Sequence, residues 1–172
     1  MPALTDSFDL ASLSLTAGEA RRLDLEVEID PVAFADQDYD IDPKRVPVVL
    51  DLTKMVGNGW SLRLRFTASL SGPCMRCLEP AAPSFDVDAR EVDQPNMGED
   101  LDSPYVSGDE QLDVRGWVRD AFALALPAQV LCRSDCAGLC ARCGANLNEE
   151  PGHEHEPEPD PRWAALRDIK FE

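Results

Sequence analysis

The sequence predicts an α+β fold, mainly an antiparallel sheet or a partly open barrel, and three features predict it. Several runs alternate apolar and polar residues with period two, the signature of half-buried strands. One run repeats with the helical period instead. Six cysteines stand in two places far apart in the chain, with a hairpin tip as one of them. A single domain over residues 1–172 is expected, carrying one packed helix, a cysteine-rich zinc clip and a short C-terminal helix.

The first 18 residues hold scattered apolar positions (Phe8, Leu10, Leu13, Leu15) before the turn Thr16-Ala17-Gly18. Leu23, Leu25, Val27 and Ile29 then alternate with Asp24, Glu26, Glu28 and Asp30, one apolar and one charged face, until Pro31 ends the strand. Asp36 to Asp40 is expected to be loop. A second strand spans Val46 to Thr53, with Val48, Leu50 and Leu52 inward, and Gly57-Asn58-Gly59 turns the chain. The clearest alternation runs from Trp60 to Ser71. Leu62, Leu64, Phe66, Ala68 and Leu70 face the core, while Ser61, Arg63, Arg65, Thr67 and Ser69 face out. Cys74-Met75-Arg76-Cys77 follows, and Phe85, Val87 and Ala89 return as its partner strand, so both thiols sit on a hairpin tip.

Val114, Trp117, Val118, Ala121, Phe122 and Ala125 recur at helical spacing, predicting a helix over 113–126. Asp113 or Asp109 can cap it, Pro127 stops it, and Gly116 costs it about 1 kcal/mol against alanine. Near the end, Asp160-Pro161 sets up a helix start, and Trp163, Leu166 and Ile169 give a short docking edge.

The formal net charge is −17. Residues 93–113 hold seven acids and residues 149–160 six, neither with a lysine or arginine, so thirteen of the seventeen excess charges lie in two segments. Both (93–111 and 149–160) are expected to be mobile, solvated loops. A protein that simply coats DNA would need a basic footprint, which this balance excludes. No basic, apolar leader opens the sequence, and no apolar run approaches the roughly 18 residues of a membrane span. A cytoplasmic protein without a membrane partner is therefore expected, and there thiols stay reduced and read first as metal ligands.

Zinc takes four tetrahedral ligands, and a Cys-x-x-Cys turn supplies two thiolates. Cys74 and Cys77 form one such pair and Cys140 and Cys143 the other, making these four the expected structural zinc site. Cys132 and Cys136 are alternative ligands, in place of Cys140 and Cys143 or in a site of the C-terminal four. His153 and His155 stand in an acidic, proline-containing segment and read as solvated histidines. Arg76, Arg133 and Arg142 lie within the cysteine motifs, and Arg63 and Arg65 on the strand leading to them. Together these five are expected to form a basic patch suited to phosphate contact. A thiol-disulfide oxidoreductase would want a Cys-x-x-Cys at a helix start, a setting the sequence lacks. It also lacks a Ser-His-Asp grouping, a phosphate-binding glycine loop and a His-Glu-x-x-His motif. No catalytic residue and no small-molecule substrate are expected.

Three stretches, in order, carry a family resemblance: Cys74-Met75-Arg76-Cys77-Leu78; the helix end Leu124-Ala125-Leu126-Pro127; and Leu131-Cys132 through Cys136, Gly138-Leu139-Cys140, Cys143-Gly144 and Asn146-Leu147-Asn148. With the closing Asp160-Pro161-Arg162-Trp163-Ala164-Ala165-Leu166, they resemble the YceD family of large ribosomal RNA subunit accumulation proteins. The resemblance implies a non-enzymatic factor for 23S rRNA accumulation and large-subunit assembly. Its partner would be 23S rRNA or a large-subunit precursor; the acidity points instead to a zinc-stabilised adaptor or holding protein for a basic ribosomal protein.

Overall fold

In the computed structural model, residues 4–34, 37–95, 97–98 and 101–155 are described. The expected C-terminal helix, and residues 156–160 of the second acidic segment, lie outside them. The strands are β1 (Ser7–Asp9), β2 (Ala20–Glu28), β3 (Val32–Phe34), β4 (Gln37–Asp42), β5 (Arg45–Lys54), β6 (Trp60–Pro73), β7 (Pro80–Ala81), β8 (Ser84–Asp93) and β9 (Gln111–Asp113), followed by helix α1 (Val114–Ala125).

Among the described residues, seven strands form one antiparallel sheet, and β1 pairs with β9 in a separate two-stranded piece. The long strand β6 is the spine. One of its edges pairs first with β5, Val49 opposite Arg65 and Lys54 opposite Trp60, and then with β4, Ile41 opposite Leu70. The other edge pairs with β8 over ten residues and with β7 beyond them. β2 lies outside β5 and β3 outside β4. No pairing among the described residues joins β2 or β3 to β8, so the sheet stays open.

Each predicted strand turns the predicted face to the core, with Leu23, Phe85 and Ala89 half-buried at its margin. Leu62, Leu64, Phe66, Ala68 and Leu70 are buried, together with Val48, Leu50, Leu52, Val27 and Val87. Removing that apolar area from water is the main force holding the sheet against its cover. The cover is α1, whose Val114, Trp117, Val118, Ala121 and Phe122 are buried. Phe122 meets Phe66 and Phe85 with ring centroids 6.2 and 6.1 Å away. Ala125, expected on the same stripe, is exposed because the helix ends there.

The Asp113 side chain caps α1 by accepting the Gly116 N–H at 2.9 Å. A Cβ on residue 116 would run into that carboxylate, so the glycine that weakens the helix interior is what lets its cap close. The loop expected at 36–40 is corrected. Gln37–Asp42 is a strand that buries Tyr39 and Ile41 between exposed acids, and the low strand propensity of aspartate had masked its alternation. Tyr39 then braces the hairpin tip. Its hydroxyl donates to the Pro73 carbonyl at 2.8 Å, and its ring fills the space a side chain at Gly72 would take.

Candidate metal centre

The tip of the β6–β8 hairpin is a tight turn around Cys74. The Cys74 N–H donates to the Glu79 carbonyl at 2.7 Å, the Leu78 N–H returns to the Cys74 carbonyl at 3.0 Å, and Leu78 takes a positive φ of 63°. The chain leaving α1 comes back beside this turn. Met75 N–H donates to the Val130 carbonyl at 2.9 Å, and Val130 N–H lies 3.3 Å from the Met75 sulfur. Val130 is fully buried. This short pairing delivers Cys132 and Cys136 to the tip.

Cys74, Cys77, Cys132 and Cys136 converge, with all four sulfurs within 4.8 Å of one another. Cys74 Sγ lies 3.8 Å from Cys136 Sγ, and Cys77 Sγ lies 3.6 Å from Cys132 Sγ. A tetrahedron of sulfurs bonded at about 2.3 Å to a central ion has edges of about 3.8 Å, so the spacing fits a four-thiolate metal site. The expected set of Cys74, Cys77, Cys140 and Cys143 is not the one the structure assembles. Matching Cys-x-x-Cys pairs by their spacing ignored the Val130 contact, which places Cys132 and Cys136 nearest the tip.

The surroundings of the sulfurs favour charge in an uneven way. Burial alone would push the Cys74 thiol up, but the backbone N–H groups of Arg76, Cys77 and Cys132 outweigh it and bring it down to about 6. The Arg76 N–H points at that sulfur from 3.5 Å. Cys132 is exposed as a residue, yet its sulfur is turned in among the other three. Desolvation and then the neighbouring thiols push it up to about 12. Four thiols this close resist joint ionisation on their own, and a bound cation is what allows it.

The segment that follows wraps the cluster. Gly138 has a φ of 80°, and a Cβ there would press on the Arg76 backbone at 3.2 Å. Leu139 N–H donates to the Arg76 carbonyl at 3.1 Å and Leu147 N–H to the Gly138 carbonyl at 2.9 Å. Asn148 lies at the seam. Its Oδ1 accepts the Ala137 N–H at 2.8 Å, and its Nδ2 donates to Cys136 Sγ at 3.5 Å and to Asn146 Oδ1 at 2.9 Å. The Cys-Gly-x-Asn-Leu-Asn stretch therefore supplies hydrogen bonds that orient Cys136 from outside the four-cysteine cluster.

Cys140 and Cys143 form a second group with His153 and His155, again with all ligand atoms within 4.8 Å of one another. The structure therefore holds two Cys/His clusters that could each bind a metal ion. The sequence reading missed the two histidines, because acids on either side resemble a solvated loop. The available signal was Cys-x2-Cys and, after nine intervening residues, His-x-His, a compressed form of a common zinc spacing. The Cys140 thiol is also lowered to about 6, chiefly by the backbone N–H groups of Arg142 and Cys143.

The five arginines separate into two groups. Arg76, Arg133 and Arg142 are exposed on the cysteine module. Arg76 Nη1 donates to the Cys136 carbonyl at 3.1 Å, and Arg133 Nη2 donates to Asn148 Oδ1 at 2.8 Å. Arg63 and Arg65 lie on the outer face of the sheet, paired with Asp88 and Asp51. Arg65 and Cys74 are nine steps apart along the chain, about 30 Å at the usual rise, so one five-arginine patch does not form.

A β-sheet protein with a cysteine-rich metal-type module on one hairpin tip is the class this fold and site define. A family model described as the large ribosomal RNA subunit accumulation protein YceD matches residues 62–170, and the chain belongs to this family. The match begins in β6 and takes in α1 and all six cysteines. The chain is similar to an uncharacterized protein of Mycobacterium tuberculosis, 34% identical over 160 residues, covering 90% of this chain and 71% of the relative. A Mycobacterium leprae protein is 34% identical over 131 residues, covering 72% of this chain and 59% of its own length. A Zea mays protein named large ribosomal RNA subunit accumulation protein YCED homolog 1, chloroplastic, is 36% identical over 44 residues, 26% of this chain and 15% of that one. No solved structure matches significantly. No helix among the described residues is long and apolar enough to cross a membrane.

Proposed function

We propose that this protein is a non-enzymatic, cytoplasmic ribosome-biogenesis factor. It supports 23S rRNA accumulation and large-subunit assembly by binding rRNA or a pre-ribosomal particle. The observation that carries the reading is the family match over residues 62–170, which contains the whole cysteine module. Cys74, Cys77, Cys132 and Cys136 hold one structural zinc ion, which ties the hairpin tip to the segment after α1. Soft thiolates at tetrahedral spacing suit that metal. Its binding is coupled to folding of the module, because the four ligands come from segments that meet only in the folded chain.

The exposed guanidinium groups of Arg76, Arg133 and Arg142 supply the phosphate contacts in this reading. Arg133 also pairs with Asp135 at 3.2 Å, and Arg63 and Arg65 are secondary because they lie on the sheet away from the cysteine module. The net charge of −17 favours a second reading, an adaptor or holding protein for a basic ribosomal protein. A thiol-disulfide oxidoreductase has the least support. Among the described residues α1 is the only α-helix, and neither Cys-x-x-Cys pair begins it. Pull-down of the full chain with and without nuclease separates the first two readings. Loss of large-subunit precursors on nuclease treatment is expected for rRNA binding, and a nuclease-resistant basic protein for the adaptor. Depletion that leaves 23S rRNA and the large-subunit profile unchanged removes both.

A further inference from the structure

Cys140 opens a second tight turn with the same hydrogen bonds as the first. Its N–H donates to the Ala145 carbonyl at 2.8 Å, and the Gly144 N–H returns to the Cys140 carbonyl at 2.8 Å. The chain then makes a short excursion, in which Glu149 and Glu150 N–H both donate to the Asn146 carbonyl and His153 N–H to the Glu150 carbonyl. It brings two imidazoles back over the two thiols. His155 Nε2 lies 3.2 Å from Cys140 Sγ, His153 Nε2 lies 3.1 Å from Cys143 Sγ, and the two Nε2 atoms are 3.0 Å apart.

We propose that Cys140, Cys143, His153 and His155 bind a second zinc ion, separate from the four-cysteine site. Neither the expected ligand set nor the proposed ribosomal role requires this ion, and the inference stands on geometry of its own. Lone-pair direction, size and charge all favour an ion at this point.

The first is the direction of the lone pairs. An ionised carboxylate only accepts hydrogen bonds, so Glu150 Oε2, 3.0 Å from His153 Nδ1, takes the imidazole proton there. In the neutral imidazole that leaves Nε2 as the lone pair, and it faces both Cys143 Sγ and His155 Nε2. A histidine whose far nitrogen is held by a carboxylate is the usual arrangement around a metal ligand. Two thiolates and two imidazole lone pairs facing one point are the donor set of a cation, whose charge offsets their mutual repulsion.

The second is size. With bonds of about 2.3 Å to sulfur and about 2.05 Å to nitrogen, a tetrahedral site has edges of about 3.5 Å between sulfur and nitrogen and about 3.3 Å between nitrogens. The observed separations are a few tenths of an ångström shorter, a difference that a surface loop absorbs by small rotations. The third is charge and softness. Two thiolates and two neutral imidazoles are a preferred zinc set and leave the loaded site without net charge. Such a site is suited to a segment that already carries Glu149, Glu150 and Glu154.

The two sites differ in protection. Cys74, Cys77 and Cys136 are buried, whereas Cys143 and His155 are exposed and Cys140 and His153 half-buried. The second ion is therefore the one within reach of exchange, and its local job is to close residues 140–155 into a loop.

The test is zinc stoichiometry together with zinc K-edge X-ray absorption. It uses the full chain purified under reducing conditions, loaded with zinc and freed of excess metal. Two zinc ions per chain are expected, with an average shell of about three sulfurs to one nitrogen. Two double variants, Cys140→Ser with Cys143→Ser and His153→Ala with His155→Ala, should each keep one zinc in an all-sulfur shell. Their far-UV circular dichroism should match the parent, because none of these residues lies in the sheet. One zinc in an all-sulfur shell in the parent overturns the second site alone, as do two zinc ions in either variant. One zinc with nitrogen in its shell leaves this site standing and removes the four-cysteine one, and no zinc removes both.

Discussion

Leu78 and Gly144 occupy the same position in two copies of one turn. Each follows a Cys-x-x-Cys pair, each N–H returns to the carbonyl of the first cysteine (3.0 and 2.8 Å), and each has a positive φ, 63° and 76°. Glycine adopts that conformation freely, while a leucine there is strained by about 1–2 kcal/mol. Leu78 is 67% exposed, so little apolar burial offsets the strain. Leu78→Gly should raise stability by up to about 1 kcal/mol after the extra chain entropy of glycine is counted. Gly144→Ala should cost about 1 kcal/mol through the backbone alone, since nothing lies within 4 Å of its added Cβ. Thermal melts of the two variants should therefore move in opposite directions.

Asn148 reaches the four-cysteine cluster from outside it. Asn148→Asp keeps the acceptor for Ala137 but replaces the N–H facing Cys136 Sγ with a second oxygen. Metal retention in competition with a chelator should fall by about 10- to 100-fold, while the sheet remains folded. Unchanged retention would remove Asn148 from a supporting role.

Gly116 should defy the ordinary helix scale. Alanine in a helix interior is usually favourable over glycine by about 1 kcal/mol. Here its methyl group meets the Asp113 carboxylate that caps the helix. Gly116→Ala should destabilise by about 1 kcal/mol, as should Asp113→Ala alone. Together they should cost less than their sum, because the second change removes the clash created by the first.

Asp93 provides a pH test. Burial raises its carboxyl, outweighing the Ser103 N–H that favours the ionised form, and Asp102 and Glu110 push the same way. A carboxyl raised above its unfolded value binds its proton more tightly in the native state. Its contribution is therefore favourable at low pH and lost as pH rises through the native value. Asp93→Asn keeps an acceptor for Ser103 without the charge. It should raise the melting temperature at about pH 7, with the gain shrinking towards about pH 4. A constant gain across that range would assign the effect to packing.

Charge reversal tests the three exposed arginines of the module. Arg76→Glu with Arg142→Glu should weaken capture of rRNA or pre-ribosomal particles by at least about tenfold, more strongly at low salt. Arg63→Glu, on the outer face of the sheet, should change capture little. Equal effects from both would mean that net charge, rather than the module, governs binding.

Local periodicity by itself determined the frame of this protein. Leu62 to Leu70 alternate and Val114 to Phe122 repeat helically, so their buried faces follow from spacing, and Cys74 and Cys77 fall on a hairpin tip because two such strands flank them. β4 escaped because its two apolar residues, Tyr39 and Ile41, stand among aspartates and are recognisable only by the core they fill. Tertiary structure alone decided which four sulfurs meet. Both Cys-x-x-Cys turns have the same local geometry, and nothing within either encodes its partner. The partner is chosen where Val130 pairs with Met75 and where the left-handed turn at Gly138 carries Cys140 away from the tip. The same turn leaves Cys140 and Cys143 to His153 and His155, whose role depends on a through-space return that an acidic stretch of sequence conceals.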